Sequence, residues 1–225
     1  MTEENRRKIV IPGEIIAKGE GYLPGEGTEK RKDEIVAIRF GLAEESKNLV
    51  KVIPLTGVYQ PRRGNVVIGN IENITFNGWV VNIGTPENAF LSIMEYPRYV
   101  DKEDLKSIMD IGDMLVAKIY AINKRGIDLS MKFKELGKLE KGIIIEINPN
   151  KVPRVIGREG SMVALIKEET GCKITVGQNG LIWIMGDKVE DELLTKKAIM
   201  FIAENSLTSG LTDEMKNWFE KEKGK

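Results

Sequence analysis

Val155-Ile156-Gly157-Arg158-Glu159-Gly160-Ser161, with Met162-Val163-Ala164-Leu165-Ile166-Lys167 directly after it, is the stretch that decides the fold. Two glycines bracket two polar residues, and an apolar helical pattern begins at once. Without a Cβ at Gly157 or Gly160, the chain turns tightly there and another backbone can come close. The loop opens onto a helix N-terminus, whose unpaired amides and dipole favour an anion. A phosphate is the natural candidate. Four residues alone specify no more than a helix-entry turn, so the weight falls on their flanks.

Those flanks form a consistent unit. Residues 142–147, Gly-Ile-Ile-Ile-Glu-Ile, read as a strand ahead of the loop. Val163, Leu165, Ile166 and Thr170 give a short apolar helix face, which Gly171 terminates. Lys173-Ile174-Thr175-Val176 alternates as a strand, Asn179-Gly180 signals a hairpin turn, and residues 181–185 form the return strand. From Asp187 a long helix follows, with Val189, Leu193, Leu194, Ala198, Phe201 and Ile202 expected on its buried side. The order strand, helix, G-x-x-G, helix, strand, strand, helix resembles a complete KH domain, which implies a clamp on single-stranded nucleic-acid backbone.

Composition bounds the function. A chain of 225 residues holds one large domain or about two to three small ones. With 41% hydrophobic and 30% charged residues it reads as globular. It has no long apolar run, so neither a membrane span nor a secretory segment is expected. The one cysteine, Cys172, falls on a predicted strand as a small buried hydrophobe. A single cysteine forms no internal disulfide, which fits a cytoplasmic protein. Histidine is absent, which excludes zinc fingers, His-based triads and a His general base within this chain. No metal or cofactor is expected. Lys and Arg number 34 against 34 Asp and Glu, so any grip on a polyanion must come from local patches.

Taken in order, residues 1 to about 8 are polar and expected to fray. Residues 9–17 read as strand, turn, strand. Gly19, Gly21, Gly25 and Gly27 then make a turn-rich β segment; the Lys-Ser/Thr and helix of a P-loop are missing. Two further strands, 35–41 and 48–55, complete a small all-β domain over residues 1–63. The unit over residues 64–135 has strands at 66–71, 79–84 and 89–93, a short helical link over 101–109, and a closing hairpin of 112–122 with 126–132. This rhythm suggests an OB-type barrel. Residues 135–139 are a short linker into the KH unit, 139–205. The last segment, 206–225, is a break over 206–210 and then a C-terminal helix with Thr212 as its N-cap and Leu211, Met215, Trp218 and Phe219 on one face, which docks on the KH unit or else binds a partner. The fold class is therefore multidomain, mainly β plus α/β.

The barrel's opening, Gly64-Asn65-Val66-Val67-Ile68-Gly69, and its closing hairpin resemble the S-one RNA-binding repeat. Many such repeats carry two aromatics on the RNA-facing sheet. Here Phe76 and Trp79 are displaced by one residue, which reverses the face they occupy. Trp79 then enters the core or packs on a neighbouring domain.

Candidate RNA-binding residues follow from charge and planarity. In the loop they are the backbone amides of Gly157, Gly160 and Ser161, with Arg158 adding charge, Lys151 and Arg154 just upstream, and Ile156 in the apolar floor beneath the bases. Glu159 opposes phosphate there. In the barrel they are Lys118, Tyr120, Lys124, Arg125 and Lys132 on the closing hairpin, with Arg98 and Tyr99 on a connecting loop. Each lysine alone is an ordinary surface charge. As a set they supply the basic groove and planar groups that single-stranded RNA binding needs. Asp101, Glu103 and Asp104 cluster, but their spacing suits a helix start and not a metal cage. The chain thus reads as a binder, not a nuclease. Gly157→Asp is expected to weaken RNA binding with little loss of stability.

The three units in this order resemble the RNA-binding cap-subunit family of the archaeal exosome. The resemblance rests on Pro12-Gly13-Glu14, on Tyr59-Gln60-Pro61 leading into Gly64, on the closing hairpin, and above all on Gly177-Gln178-Asn179-Gly180-Leu181-Ile182-Trp183-Ile184. The other archaeal cap subunit has a zinc ribbon in place of the KH domain, and the Cys ligands for it are missing here. The resemblance implies an N-terminal domain docked on a hexameric ring of ribonuclease-PH-like subunits. It implies three copies around the entry pore, and RNA threaded to a ring that performs phosphorolysis from the 3′ end. Two rivals remain. A transcription elongation or antitermination factor also joins an S-one barrel to KH units, normally two, where this chain has a single G-x-x-G. The other is a stand-alone hydrolytic nuclease.

Overall fold

The computed structural model describes residues 8–101, 103–206, 208 and 210–223. The expected fraying before Lys8 lies outside them. The chain divides into two compact units, one ending at Gly57 and one beginning at Val58.

The first unit consists of β1 (Lys8–Val10), β2 (Ile15–Lys18), β3 (Leu23–Pro24), β4 (Thr28–Arg31), β5 (Glu34–Ala37), β6 (Gly41–Ser46) and β7 (Leu49–Pro54). They form two sheets, ordered β1-β6-β7-β3 and β2-β5-β4. The strand-turn-strand of residues 9–17 is present, but its strands do not pair with each other. β1 pairs with β6 and β2 with β5. β4 and β6 have no counterpart in the sequence reading. The β6–β7 hairpin turns through Lys47 and Asn48, both at positive φ (47° and 71°), without the glycine that usually marks such a turn. Val10, Ala37, Ala43 and Val52 form a small core. On the opposite face, Ile9, Leu42 and Ile53 lie in register across three strands. Ile9 is 50% and Ile53 40% exposed, so this row leaves apolar surface in water.

The second unit opens with β8 (Val66–Thr75), β9 (Gly78–Asn82), β10 (Ala89–Ser92), α1 (Leu105–Ile108), β11 (Met114–Asn123) and β12 (Gly126–Ser130). The order β12-β10-β9-β8-β11 closes through a β11–β12 pairing, giving a five-stranded barrel with one parallel pair, β10–β12. β13 (Gly137–Leu139) adds to β11 as an antiparallel strand, so the residues read as a linker belong to the barrel sheet. Trp79 takes the core alternative: it is buried, and its Nε1 donates to the Met109 carbonyl at 3.1 Å. Phe76 sits exposed in the turn after β8.

The remainder has the expected order: β14 (Ile143–Glu146), α2 (Val152–Ile156), α3 (Ser161–Thr170), β15 (Lys173–Val176), β16 (Leu181–Met185) and α4 (Val189–Glu204). The strands form an antiparallel sheet ordered β14-β16-β15. Ile145, Val152, Val155, Ile166, Ile182, Ile184 and Ile199 share one core, and Cys172 is buried in it. The buried side of α4 is Thr195, Ala198, Ile199, Ile202 and Ala203. That stripe recurs at three- and four-residue spacing, which leaves Val189 and Leu193 on the other side of the helix, 65% and 50% exposed. Thr195 was overlooked as a core residue because it is polar. Its hydroxyl donates to the Asp191 carbonyl at 2.8 Å, and that bond makes its burial tolerable. α5 (Leu211–Lys223) starts two residues earlier than a Thr212 cap would place it, so Thr212 lies in the first turn and not at the cap. Leu211, Met215 and Phe219 are buried in the same core, and Trp218 stacks on Phe201 at 5.8 Å between ring centroids.

Candidate nucleic-acid interface

The G-x-x-G loop is built by two residues that have to be glycine for different reasons. α2 ends at Gly157, whose N–H donates to the Pro153 carbonyl at 3.0 Å. Gly157 has φ 76°, and a Cβ there would lie 2.6 Å from the Met162 nitrogen, so any side chain forces the backbone apart. The expectation that Gly157→Asp leaves stability nearly unchanged is therefore corrected: that variant strains the fold. Gly160 has φ 81° and ψ 8°, a left-handed conformation, and open space where a Cβ would stand. α3 then starts at Ser161 with no side chain capping its amides and no acidic residue in its first turn. Within the loop, Gly160 N–H donates to the Gly157 carbonyl at 3.3 Å and Ser161 N–H to the Arg158 carbonyl, so the loop offers an anion the start and dipole of α3 and not free amides of Gly157, Gly160 or Ser161.

Arg158, Glu159 and Ser161 are exposed, while Gly157 and Gly160 are partly so. Glu159 adopts φ 53°, unusual for a residue with a Cβ. Arg154 lies half-buried in the last turn of α2, and Lys151 ends the preceding 3-10 turn. Ile156 packs half-buried against the core.

The barrel residues are distributed differently. Lys118 and Tyr120 lie on β11, Lys124 and Arg125 at the exposed tip of the β11–β12 hairpin, and Lys132 just beyond β12. Lys132 Nζ donates to Glu95 at 3.4 Å, which offsets part of its charge. Arg98 and Tyr99 are exposed on the segment before α1. Asp101, Glu103 and Asp104 are exposed as well, and among the described residues no group of three or more acidic or Cys side chains is placed to hold a metal ion.

Three residues were missed in their roles. Gln178 and Asn179 look like turn residues in the sequence, and the turn is there: Gly180 N–H donates to the Gly177 carbonyl at 3.0 Å. Their side chains, however, bind the barrel. Gln178 Oε1 accepts from the Val66 amide at 2.6 Å, and the Gln178 amide donates to the Val66 carbonyl at 2.8 Å. Asn179 Oδ1 accepts from the Ile68 amide at 3.2 Å, and its Nδ2 donates to the carbonyls of Ile68 and Ile83 at 2.7 and 3.0 Å. The β15–β16 hairpin thus serves β8 as an extra hydrogen-bonding partner and fixes the KH unit to the barrel. The third residue, Phe133, is exposed beside Lys118.

Two titrating groups bracket the barrel. Burial pushes the Tyr59 phenol up to about 12, and its hydroxyl donates to Asn65 Oδ1 at 2.9 Å. The Lys138 ammonium, bonded to Asp113, holds that carboxyl below its usual range, helped by the Asp110 amide.

Comparison with known proteins agrees with this geometry. A family described as "KH domain" matches residues 142–201, and one described as "Exosome complex exonuclease RRP4 N-terminal region" matches residues 9–44. The chain is 42% identical over 217 residues to exosome complex component Rrp4 of Pyrococcus furiosus, covering 94% of this chain and 82% of that one. The Rrp4 component of Methanothermus fervidus is 40% identical over 215 residues, covering 94% and 95%. That of Methanobrevibacter smithii is 40% identical over 213 residues, covering 94% and 70%. A crystal structure of an exosome complex RNA-binding protein superposes with a TM-score of 0.66 at 37% identity, covering 74% of this chain and 98% of that one.

Proposed function

Since the chain belongs to the Rrp4 family of exosome components, we propose that it is a non-catalytic subunit that captures single-stranded RNA and guides its 3′ end into a phosphorolytic ring. The observation that carries this reading is the Gly157–Gly160 loop: an exposed turn, beside Arg158, at an uncapped helix start within a KH fold. An anionic backbone is the ligand such a site accepts. Charge balance over the whole chain argues for modest affinity at each site. Three copies around one pore would raise it through effective concentration. The row of exposed Ile9, half-buried Leu42 and exposed Ile53 supports docking of the first unit on ring subunits of ribonuclease-PH type. Burying such a row removes apolar surface from water. The proposed domains span 1–63, 64–135, 139–205 and 206–225, with β13 (Gly137–Leu139) added to the sheet of the second, and the proposed compartment is the cytoplasm.

The test uses four mixtures of labelled RNA and inorganic phosphate: no protein, this chain alone, the ring alone, and both. The expected result is no degradation by this chain alone and a lower KM for RNA when it joins the ring. Degradation by this chain alone, or failure to co-migrate with the ring, would overturn the reading. Co-purification with RNA polymerase would favour the transcription-factor rival.

A further inference from the structure

Phe133 lies three residues beyond the end of β12 and is 50% exposed, where an isolated aromatic gains nothing from solvent. Lys118 Nζ sits 4.3 Å from its ring centroid, close enough for a cation–π contact that orients the ring. Lys132 and Lys134 flank it in sequence, both exposed. Tyr120, 43% exposed, lies two residues beyond Lys118 on β11, at the irregularity where the β11–β12 register shifts between Ile119 and Ala121. At this edge of the barrel the exposed Phe133 ring therefore has an ammonium group on its face and a lysine on either side in sequence, with a second exposed aromatic, Tyr120, on the strand that carries Lys118. Lys118 is also in register with Val66, the residue whose backbone is bonded to Gln178 of the KH hairpin. This edge borders the seam between barrel and KH unit.

We propose that Phe133, oriented by Lys118 and accompanied by Tyr120, is a base-stacking platform of the barrel for single-stranded RNA. It rests on the reading of this chain as an RNA binder and adds a contact to the bases, where the G-x-x-G loop contacts the backbone. It also relocates the barrel's aromatic contact. Trp79 is committed to the core, and Phe133 supplies a π-face at the opposite end of the barrel sequence. Stacking on one side chain tolerates any base, so the platform favours capture without sequence choice.

The test is an anisotropy titration of the full chain with a fluorescein-labelled oligoadenylate of about 12 nucleotides, within the usual site size of such folds. An abasic oligomer of equal length serves as the backbone-only probe. Phe133→Ala should bind the oligoadenylate about five-fold or more weakly, with its salt dependence unchanged, and Phe133→Trp should restore binding. Neither should alter binding of the abasic oligomer. Lys118→Ala should lower the salt slope as well as the affinity. If wild type binds and Gly160→Asp weakens it while Phe133→Ala does not, the platform is wrong and the loop reading survives. Equal losses on both oligomers would also overturn it. If wild type binds neither oligomer, the RNA-binding reading fails and the platform with it.

Discussion

Asn179→Ala probes the attachment of the KH unit to the barrel. The Asn179 amide makes three bonds to buried backbone: Ile68 N–H at 3.2 Å, and the carbonyls of Ile68 and Ile83 at 2.7 and 3.0 Å. A neutral buried bond contributes about 1 kcal/mol net, and an orphaned buried group costs about 1–3 kcal/mol. Three bonds then predict a loss of about 3 kcal/mol. For a chain of this size that lowers the midpoint by about 6–12 °C. Asn179→Asp should be worse, because it keeps the acceptor, loses both donations and brings a charge into a buried site. Calorimetry gives the midpoint, and hydrogen exchange at the Ile68 amide gives the local effect, which should rise sharply in Asn179→Ala, where its acceptor is gone. Gln178→Ala loses one side-chain bond, to Val66, and should cost about a third as much. A change below about 0.5 kcal/mol for Asn179→Ala, or unaltered exchange at Ile68, would refute the idea that these bonds hold the two folds together.

Other predictions rest on single residues. Glu159→Gln should strengthen RNA binding about two- to five-fold, since unit charges about 5 Å apart in near-aqueous surroundings repel by about 1 kcal/mol; titration at low salt with no gain would count against a phosphate beside this residue. Gly157→Ala should cost more than about 2 kcal/mol and Gly160→Ala about 1 kcal/mol, because both sit at positive φ but only Gly157 lacks room for a Cβ; equal losses in urea unfolding would contradict the geometry. Tyr59 holds its proton more tightly folded than unfolded, so its contribution is full below about pH 10, the value in an unfolded chain. That contribution is lost as pH rises through about 12. Denaturant midpoints should fall over that window in wild type and fall less in Tyr59→Phe.

The KH unit was legible because its signals agree. Gly157, Gly160 and Gly171 punctuate the chain, and the strands between them alternate or run apolar. The barrel was legible for the same reason, while the sequence left Trp79 open between the core and a neighbouring domain, and the structure buries it. What escaped depends on tertiary contact. β4 is Thr28-Glu29-Lys30-Arg31, polar throughout, and becomes a strand only by pairing with β5. β6 begins at Gly41 and turns through Lys47-Asn48, so neither end carries the usual mark. Asn179 had a sufficient local explanation as a turn residue, and its partner Ile68 is 111 positions away. Phe133 lies in a stretch with no periodicity, and only its exposure next to Lys118 distinguishes it.

The most direct test is the affinity of the intact chain for single-stranded RNA before and after Gly160→Asp. Open space surrounds that Cβ, so the fold should survive with a loss of about 1 kcal/mol for the left-handed backbone. The new carboxylate would stand at the uncapped start of α3, where a phosphate is expected. Losing a charge-assisted bond of about 1.5–3 kcal/mol predicts binding at least about ten-fold weaker. Unchanged affinity in a folded variant would contradict the assignment of this loop to RNA.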